Sequence, residues 1–476
     1  MSKNIRTRFA PSPTGYMHVG GVRTALFAWL VARQNNGSFV LRIEDTDKER
    51  EVEGSEKHII NTLRSLNLDY DEGPGKEGPY GPYRQSQRLD IYREWAKRLI
   101  KEGRAYADPY SVEELNNFRE QSKISKKPFL FREHRPTRPT EWDGTQPLRF
   151  LSEPKDYSWH DEIMGDLKST SSSVDDFIII KSDGYPTYNF AHIVDDYLMK
   201  ISHIIRGQEF LASVPKYLNL YEALAIDHPK FATVPFVLAP DGKRKLSKRD
   251  GAKDVLEYIK EGYLPETLLN FIASLGWNDG TEKEIFTVDE LITKFKINQV
   301  QKSGARFDER RLLWMNGYHL RSLNLDDLYA RSINYWPQSS HGYSEEYKKN
   351  ILKVIQERLK YLSEIDSLTK FFFEDRKVDN HLITNDNKLK DIPSESLKNL
   401  LIQAKECLDQ STFTLEDITI KLNDLLIQTD QKPAVLFSLI RIAVTQSASS
   451  PRLFETIFIL GKERTIRRID KQISVL

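Results

Sequence analysis

The chain carries one cysteine, Cys407, among 476 residues. That excludes an internal disulfide and any zinc site built from several thiolates, and it fits a reducing compartment. An excess of one charge is missing too. Seventy Lys and Arg stand against 69 Asp and Glu, a formal net charge of +1. Only local patches, not the total, can therefore mark an acidic partner. No apolar run approaches the ~20 residues of a membrane span. The start, MSKNIRTRFAPSP, has no apolar signal-peptide core. There is no internal repeat and no low-complexity tract. The expectation is a soluble, cytoplasmic protein. Apolar residues make up 39% and aromatics 11%, enough for real cores. The length exceeds the ~250–300 residues that one core supports, so several domains are expected.

The first part reads as α/β. A short strand at Arg8–Ala10 runs into Pro11. Val22–Arg33 has helical spacing, with Leu26, Phe27, Leu30 and Val31 on one face, and Gly37 ends it. Ser38–Asp45 (SFVLRIED) reads as a buried strand and Glu53–Leu68 as an amphipathic helix. That order argues for a parallel sheet. Asp71–Ser86 is a Gly/Pro-rich loop, followed by helices at Arg88–Glu102 and Ser111–Glu120. Lys123–Pro139 (KISKKPFLFREHRPTRP) sets six Lys/Arg against one Glu with phenylalanines between them. It reads equally as a nucleic-acid surface or as a solvated basic loop. Strand signals return at Asp176–Lys181, IIRGQEF and FATVPFVLA, with a helix at Ser213–Leu224. From Val255 the chain is largely helical.

Two stretches carry chemistry. In Arg8–Leu30 (RFAPSPTGYMHVGGVRTALFAWL) the chain leaves a strand through prolines and enters a helix at His18. A helix N-terminus offers backbone N–H groups to an anion, and Gly20 and Gly21 let a ligand approach closely. His18 can donate to a phosphate oxygen there, or it is an ordinary turn histidine. The second stretch, Gly242–Lys253 (GKRKLSKRDGAK), holds six Lys/Arg and one Asp. Such a loop can stabilise the charge of a reacting phosphate, or it is a solvated basic run.

Together the two resemble the paired signatures of class I aminoacyl-tRNA synthetases. His18 and Gly20 stand at the histidine and glycine of "HIGH", and Lys245–Arg249 (KLSKR) at "KMSKS". RIEDTD (Arg42–Asp47), GPYRQS (Gly81–Ser86), KSDGYPTY (Lys181–Tyr188), NFAHIVDD (Asn189–Asp196) and WMNG (Trp314–Gly317) resemble bacterial-type glutamyl-tRNA synthetase, over essentially the whole chain. The resemblance implies glutamyl-adenylate formation from L-glutamate and ATP with Mg2+. Transfer to the terminal adenosine of tRNA(Glu) then follows.

The resemblance also assigns residues. His18 and Gly20 contact ATP, Glu209 sits near the ribose, and Lys245, Leu246, Ser247 and Lys248 brace the phosphates, with His18, Gly20, Lys245 and Lys248 carrying catalysis. Arg8 and Arg206 match the arginines that hold the glutamate, and a paired guanidinium fork suits a carboxylate. Tyr188 matches a hydroxyl donor, and Glu44 the acceptor for the α-amino group. Ala10, Ser12 and His192 fall at pocket positions. Arg358 and Arg441 match anticodon-contacting positions, and an arginine at the first is associated with rejecting the glutamine tRNA.

The implied fold is a Rossmann-like, parallel-sheet catalytic domain (1–81 and 188–242) with an α+β acceptor-stem insertion (82–187). A helical connecting domain carrying KLSKR (243–324) and an all-helical anticodon-binding region (325–476) follow. A monomer is usual in the family. Many relatives hold zinc in the insertion through cysteine and histidine. Here AYADPYS (Ala105–Ser111) has no cysteine, so no zinc is expected. The last KMSKS position is Arg249. Two other readings stand beside it. A short paralogue that modifies a tRNA base would lack the residues after Asn324, and an RNA-binding protein with a dead site would not need these residues intact.

Overall fold

The computed structural model describes residues 4–138, 140–247 and 253–476. The chain divides into two compact units, Met1–Lys260 with Pro265–Glu309, and Glu261–Leu264 with Arg310–Leu476.

The first unit begins β1 (Arg6–Phe9), α1 (Val19–Gln34), β2 (Ser38–Leu41), α2 (Ser55–Ser65) and α3 (Leu89–Lys101). Then come β3 (Ala105–Ala107), α4 (Val112–Ile124), β4 (Leu148–Phe150), β5 (Tyr157–Asp161), β6 (Gly165–Ser169) and β7 (Phe177–Ile180). It continues with α5 (Tyr188–Leu198), β8 (His203–Gly207), α6 (Val214–Ala223), β9 (Lys230–Val234) and β10 (Val237–Leu238). Three short helices, α7 (Val255–Glu261), α8 (Pro265–Ala273) and α9 (Val288–Lys294), precede β11 (Ala305–Arg306).

The main sheet has the order β2-β1-β8-β9-β5-β6. Its first five strands pair in parallel and β6 returns antiparallel on β5. The parallel core was legible in the sequence, whereas the β5–β6 hairpin, drawn from 157–169, was not. Phe231 pairs with Asp161, and the Asp161 carboxylate accepts from the Thr233 amide at 3.0 Å and its hydroxyl at 2.6 Å. That polar pairing seats the hairpin. β3, β4 and β7 form a separate antiparallel sheet.

The expected strand over Ser38–Asp45 is shorter, ending at Leu41. β1 gives way to Pro11, which has no N–H, and the neighbouring chain changes partners. Arg42, Ile43 and Glu44 donate to Phe9, Tyr83 and Pro11 carbonyls. This turns Arg42 and Glu44 inward. α1 is also buried nearly all round rather than on one face. β1, β2 and β8 cover one side, α8 and α9 the other, as befits a helix apolar on every face. Gly37 ends the α1–β2 turn under Ile5, where a Cβ would stand 2.2 Å from the Ile5 carbonyl oxygen.

The second unit is helical. It contains α10 (Glu309–Ser322), α11 (Leu325–Ser332), α12 (Glu345–Ile355), α13 (Glu364–Phe373) and α14 (His381–Thr384). α15 (Ser394–Asp409), α16 (Leu415–Gln428), α17 (Pro433–Thr445), α18 (Leu453–Leu460) and α19 (Lys462–Ile473) complete it. Asn324, Ser344 and Thr414 cap α11, α12 and α16 by accepting the N3 amide. One apolar core, with Leu352, Phe372, Leu401, Leu439 and Ile457 among its members, holds these helices. No described helix is long and apolar enough to cross a membrane.

Candidate active site

The parallel strands β1, β8 and β9 end at one edge of the sheet, and a cavity of about 1240 Å³ opens there. Residues from both signature stretches line it, including Arg8, Ala10, Ser12, His18, Gly20 and Gly21 from one and Lys245 from the other. Glu44, Tyr188, Arg206 and Glu209 complete the wall. This is where ligands sit on open parallel sheets, since the chain reverses there and frees backbone groups.

Alternation along β1 sends Thr7 to α1, where it donates to the Ala28 carbonyl, and Arg8 to the other face. Arg8 Nε lies 3.1 Å from Asp196 Oδ1, and its Nη1 donates to the Ile205 carbonyl at 3.2 Å. Asp196 also takes Arg42 Nη1 at 2.7 Å. Burial opposes the Asp196 charge, but Arg42 and then Arg8 outweigh it and hold the carboxyl well below the usual range. Glu44 receives Arg42 Nη2 at 2.9 Å. For Glu44 burial wins over the pull of Arg42, and its carboxyl is pushed up to about 7.

Arg206, at the end of β8, differs. It is 6% exposed, and neither Nη1 nor Nη2 has a hydrogen-bond partner. Its guanidinium lies over the rings of Tyr217 at 4.9 Å and Phe210 at 5.6 Å. Ring faces offset part of the cost of a buried cation, but an uncompensated guanidinium still costs several kcal/mol, roughly. An anionic group entering the cavity would relieve it.

Tyr188 opens α5 and stacks on His192, 4.7 Å between ring centres. His192, expected in the pocket, is not among the side chains that line the cavity. It is buried behind Tyr188 and donates Nδ1–H to the Tyr188 carbonyl at 2.7 Å. Burial, then the Arg206 charge, lowers its pKa to about 3, so the ring is neutral and backs the tyrosine.

His18 caps α1, and its Nδ1 accepts from the Gly20 amide at 3.1 Å. A neutral ring bonded in this way carries its proton on Nε2. A Cβ on residue 20 would stand 3.2 Å from His18 Cε1, so Gly20 makes room for the imidazole itself. The first turn of α1 has no acidic residue to repel an anion. Lys245 Nζ lies 3.3 Å from Glu209 Oε1, both about half exposed, and 4.7 Å from the Phe236 ring centre. Such a pair holds weakly, leaving the ammonium movable. Leu246 is buried, its amide donating to Val237 at 2.8 Å, and neither it nor Ser247 lines the cavity. Lys248 and Arg249 lie outside the described residues.

Sequence reasoning assigned no role to several residues that shape the site. Arg42 is wholly buried between Glu44 and Asp196. Asp195, its neighbour on α5, takes Arg88 Nε at 2.8 Å, Gln85 Nε2 at 2.9 Å and the Tyr92 hydroxyl at 2.7 Å. Asp45 takes the Ser86 amide at 2.8 Å. The phrases RIEDTD, GPYRQS and NFAHIVDD thus meet in one buried ionic network, and adjacent acids at the end of an apolar helix were its only signal. Arg23 on α1 is buried on the Leu275 and Pro235 carbonyls, and burial lowers its pKa to about 10.

In the second unit Arg358 and Arg441 converge on the turn after α17. Arg358 Nη1 is 3.5 Å from Ser449 Oγ, and Arg441 Nη1 donates to the Pro451 carbonyl at 2.7 Å. Burial and then the Arg358 charge lower the Arg441 pKa. Around residues 105–111, aromatic rings pack together. Tyr110 packs edge-on against Phe118, which stacks on His134 at 4.2 Å. Among the described residues no group of three or more His, Cys, Asp or Glu is placed to hold a metal.

The catalytic domain of class I tRNA synthetases (E and Q) matches residues 4–314, and an anticodon binding domain matches 327–473. The chain is 40% identical to a glutamate–tRNA ligase of Dehalococcoides mccartyi, covering 100% of this chain and 99% of that one. It is 41% identical to one of Moorella thermoacetica, over 98% and 97%. A crystal structure of a glutamate tRNA ligase from Elizabethkingia meningosepticum, in complex with its amino acid, superposes with a TM-score of 0.91 at 34% identity. It covers 99% of this chain and 100% of that one. By its two matching domains and its full-length likeness, this chain belongs to the class I tRNA synthetases, among the glutamate–tRNA ligases.

Proposed function

We propose that the cavity of the first unit joins L-glutamate to ATP and that the chain then charges tRNA(Glu). A glutamate α-carboxylate oxygen attacks the α-phosphorus of ATP and pyrophosphate leaves. A hydroxyl of the tRNA's terminal adenosine then attacks the acyl carbon, and AMP leaves. The observation that carries this reading is Arg206, a buried cation without a hydrogen-bond partner on the cavity wall. Its complement is a carboxylate side chain rather than an amide.

The remaining roles follow from position. Arg206 and Tyr188 receive the side-chain carboxylate. Arg8, Ala10 and Ser12 frame the amino acid, and Glu44 accepts its ammonium. His18 donates Nε2–H toward the nucleotide phosphates beside the open N-terminus of α1. Lys245, with Lys248, follows the charge that builds on the leaving pyrophosphate. Glu209 faces the ribose. Little acid–base chemistry is required, since orientation and charge complementarity lower the barrier. Magnesium would arrive on the nucleotide phosphates and neutralise part of their charge. The described residues supply cations rather than a carboxylate cluster of their own.

The assignment includes the domain roles. Residues 1–81 and 188–242 perform the chemistry, 82–187 meet the acceptor end, 243–324 connect, and 325–476 read the anticodon through Arg358 and Arg441. It also includes a monomer working in the cytoplasm, which sedimentation and fractionation test. Glutamate-dependent pyrophosphate exchange, with and without tRNA, tests the first step. Absence of exchange under both conditions would overturn the reading.

A further inference from the structure

Two backbone segments meet at the rim of the cavity. Residues 16–18 lead into α1, and Asp254–Val255 lead into α7. His18 and Asp254 form an antiparallel bridge, and the Val255 amide donates to the Met17 carbonyl at 3.3 Å. His58, on α2, fastens the same two segments with its side chain. Its ring stacks on Tyr16, 4.5 Å between centres. Its Nδ1 accepts from the Met17 amide at 3.4 Å, and its Nε2 lies 2.5 Å from Asp254 Oδ2. With Nδ1 accepting, Nε2 carries a proton and donates it to the carboxylate. Asp254 Oδ1 meanwhile accepts the Leu256 amide at 3.0 Å and starts α7.

We infer that His58 is a positioning residue for nucleotide activation, holding His18 in place by tying the chain before it to Asp254. The inference rests on the proposed role of His18 toward ATP. His18 Nδ1 accepts the Gly20 amide at 3.1 Å, and the ring starts from the backbone of 16–18. That backbone is fixed on its outer side by His58. A displacement of about 1 Å at a reacting group lowers rate by up to roughly a hundredfold, without touching the chemistry. The amino-acid half of the cavity, built on Arg8, Glu44 and Arg206, has no contact with His58 and should be indifferent to it.

The test uses the full chain carrying H58F, H58Q or D254N, in glutamate-dependent pyrophosphate exchange with tRNA present. H58F keeps a ring against Tyr16 and removes both hydrogen bonds. H58Q places an amide donor toward Asp254. D254N keeps the oxygen that starts α7 and sets an amide donor against Nε2–H. Expected are a fall in kcat of about tenfold and a raised KM for ATP in H58F and D254N, with KM for glutamate unchanged. H58Q should recover most of the kcat. Should H58F fail to fold, D254N carries the same test. Wild-type kcat in D254N or H58F overturns the inference, as does a loss that raises both KM values equally and is not recovered by H58Q. A wild-type chain without exchange overturns instead the reading beneath it.

Discussion

Arg8 and Asp196 are joined across 188 residues of sequence, guanidinium Nε to carboxylate Oδ1 at 3.1 Å, both buried. Arg42 shares the same carboxylate at 2.7 Å. This wall of the cavity is thus braced by a charge network, while the Arg206 Nη1 and Nη2 on the adjacent strand stay without a hydrogen-bond partner. One arginine is positioned and the other is open to a ligand.

Removing the central anion should cost stability. D196N leaves Arg8 and Arg42 short of counter-charge, and breaking one partner of a buried pair costs roughly 3–5 kcal/mol. Urea unfolding of the full chain, followed by a probe in the first unit, should show the loss. A change below about 1 kcal/mol would mean that Asp195 and Glu44 suffice.

Arg206 should behave in the opposite sense. R206M replaces an unpaired buried cation with an apolar chain of similar length, so thermal stability should hold or rise. Its KM for glutamate should rise by about a hundredfold or more, from the ~2–5 kcal/mol that a buried charge partner contributes. KM for ATP should stay level. Loss of stability with unchanged glutamate KM would move Arg206 into a structural role.

Glu44 sets a pH dependence. Burial raises its carboxyl to about 7, so in the free protein it is largely neutral below that pH. An ammonium needs the charged form. The kcat/KM for glutamate should therefore fall roughly tenfold per pH unit below about 7 and level off above it. E44Q should lower the plateau and remove the acidic limb. A wild-type profile flat from pH 5.5 to 8, by initial-rate exchange, is the outcome that excludes this role.

Gly20 should not tolerate a methyl group. G20A puts Cβ 3.2 Å from His18 Cε1 and turns the imidazole. A kcat lower by about tenfold with an unchanged glutamate KM is expected, since only the nucleotide side is disturbed. An alanine variant with wild-type kcat would show that the ring direction is immaterial.

At the other end of the chain, R358Q removes a cation 3.5 Å from Ser449 and beside Arg441. It should narrow the ratio of kcat/KM between the glutamate and glutamine tRNAs, with pyrophosphate exchange untouched. R441A should weaken both tRNAs, since Arg441 also holds the turn at Ser450 and Pro451. Equal ratios in wild type and R358Q would remove Arg358 from discrimination.

Local signals made much of this legible. Prolines, glycines and a histidine at a helix mouth mark the His18 region, and the helices read at Val22–Arg33, Arg88–Glu102 and Ser213–Leu224 fall on α1, α3 and α6. The paired stretches placed Arg8, His18 and Lys245 in one cavity. What the sequence concealed depends on long-range pairing. Nothing near 157–169 says that this hairpin extends the main sheet, because its seat is Asp161 on Thr233. The resemblance assigns His192 to the pocket, and sequence alone does not show that its ring stacks on Tyr188. His58 and Asp254 have no shared motif, and only the fold brings them to 2.5 Å.

The most direct test is aminoacylation by the purified full-length chain with ATP and purified tRNA(Glu), run in parallel with labelled glutamate and labelled glutamine. Near-stoichiometric charging with glutamate and none with glutamine is the expected result. No charging with glutamate, or equal charging with glutamine, would contradict a cavity built around an unpaired Arg206.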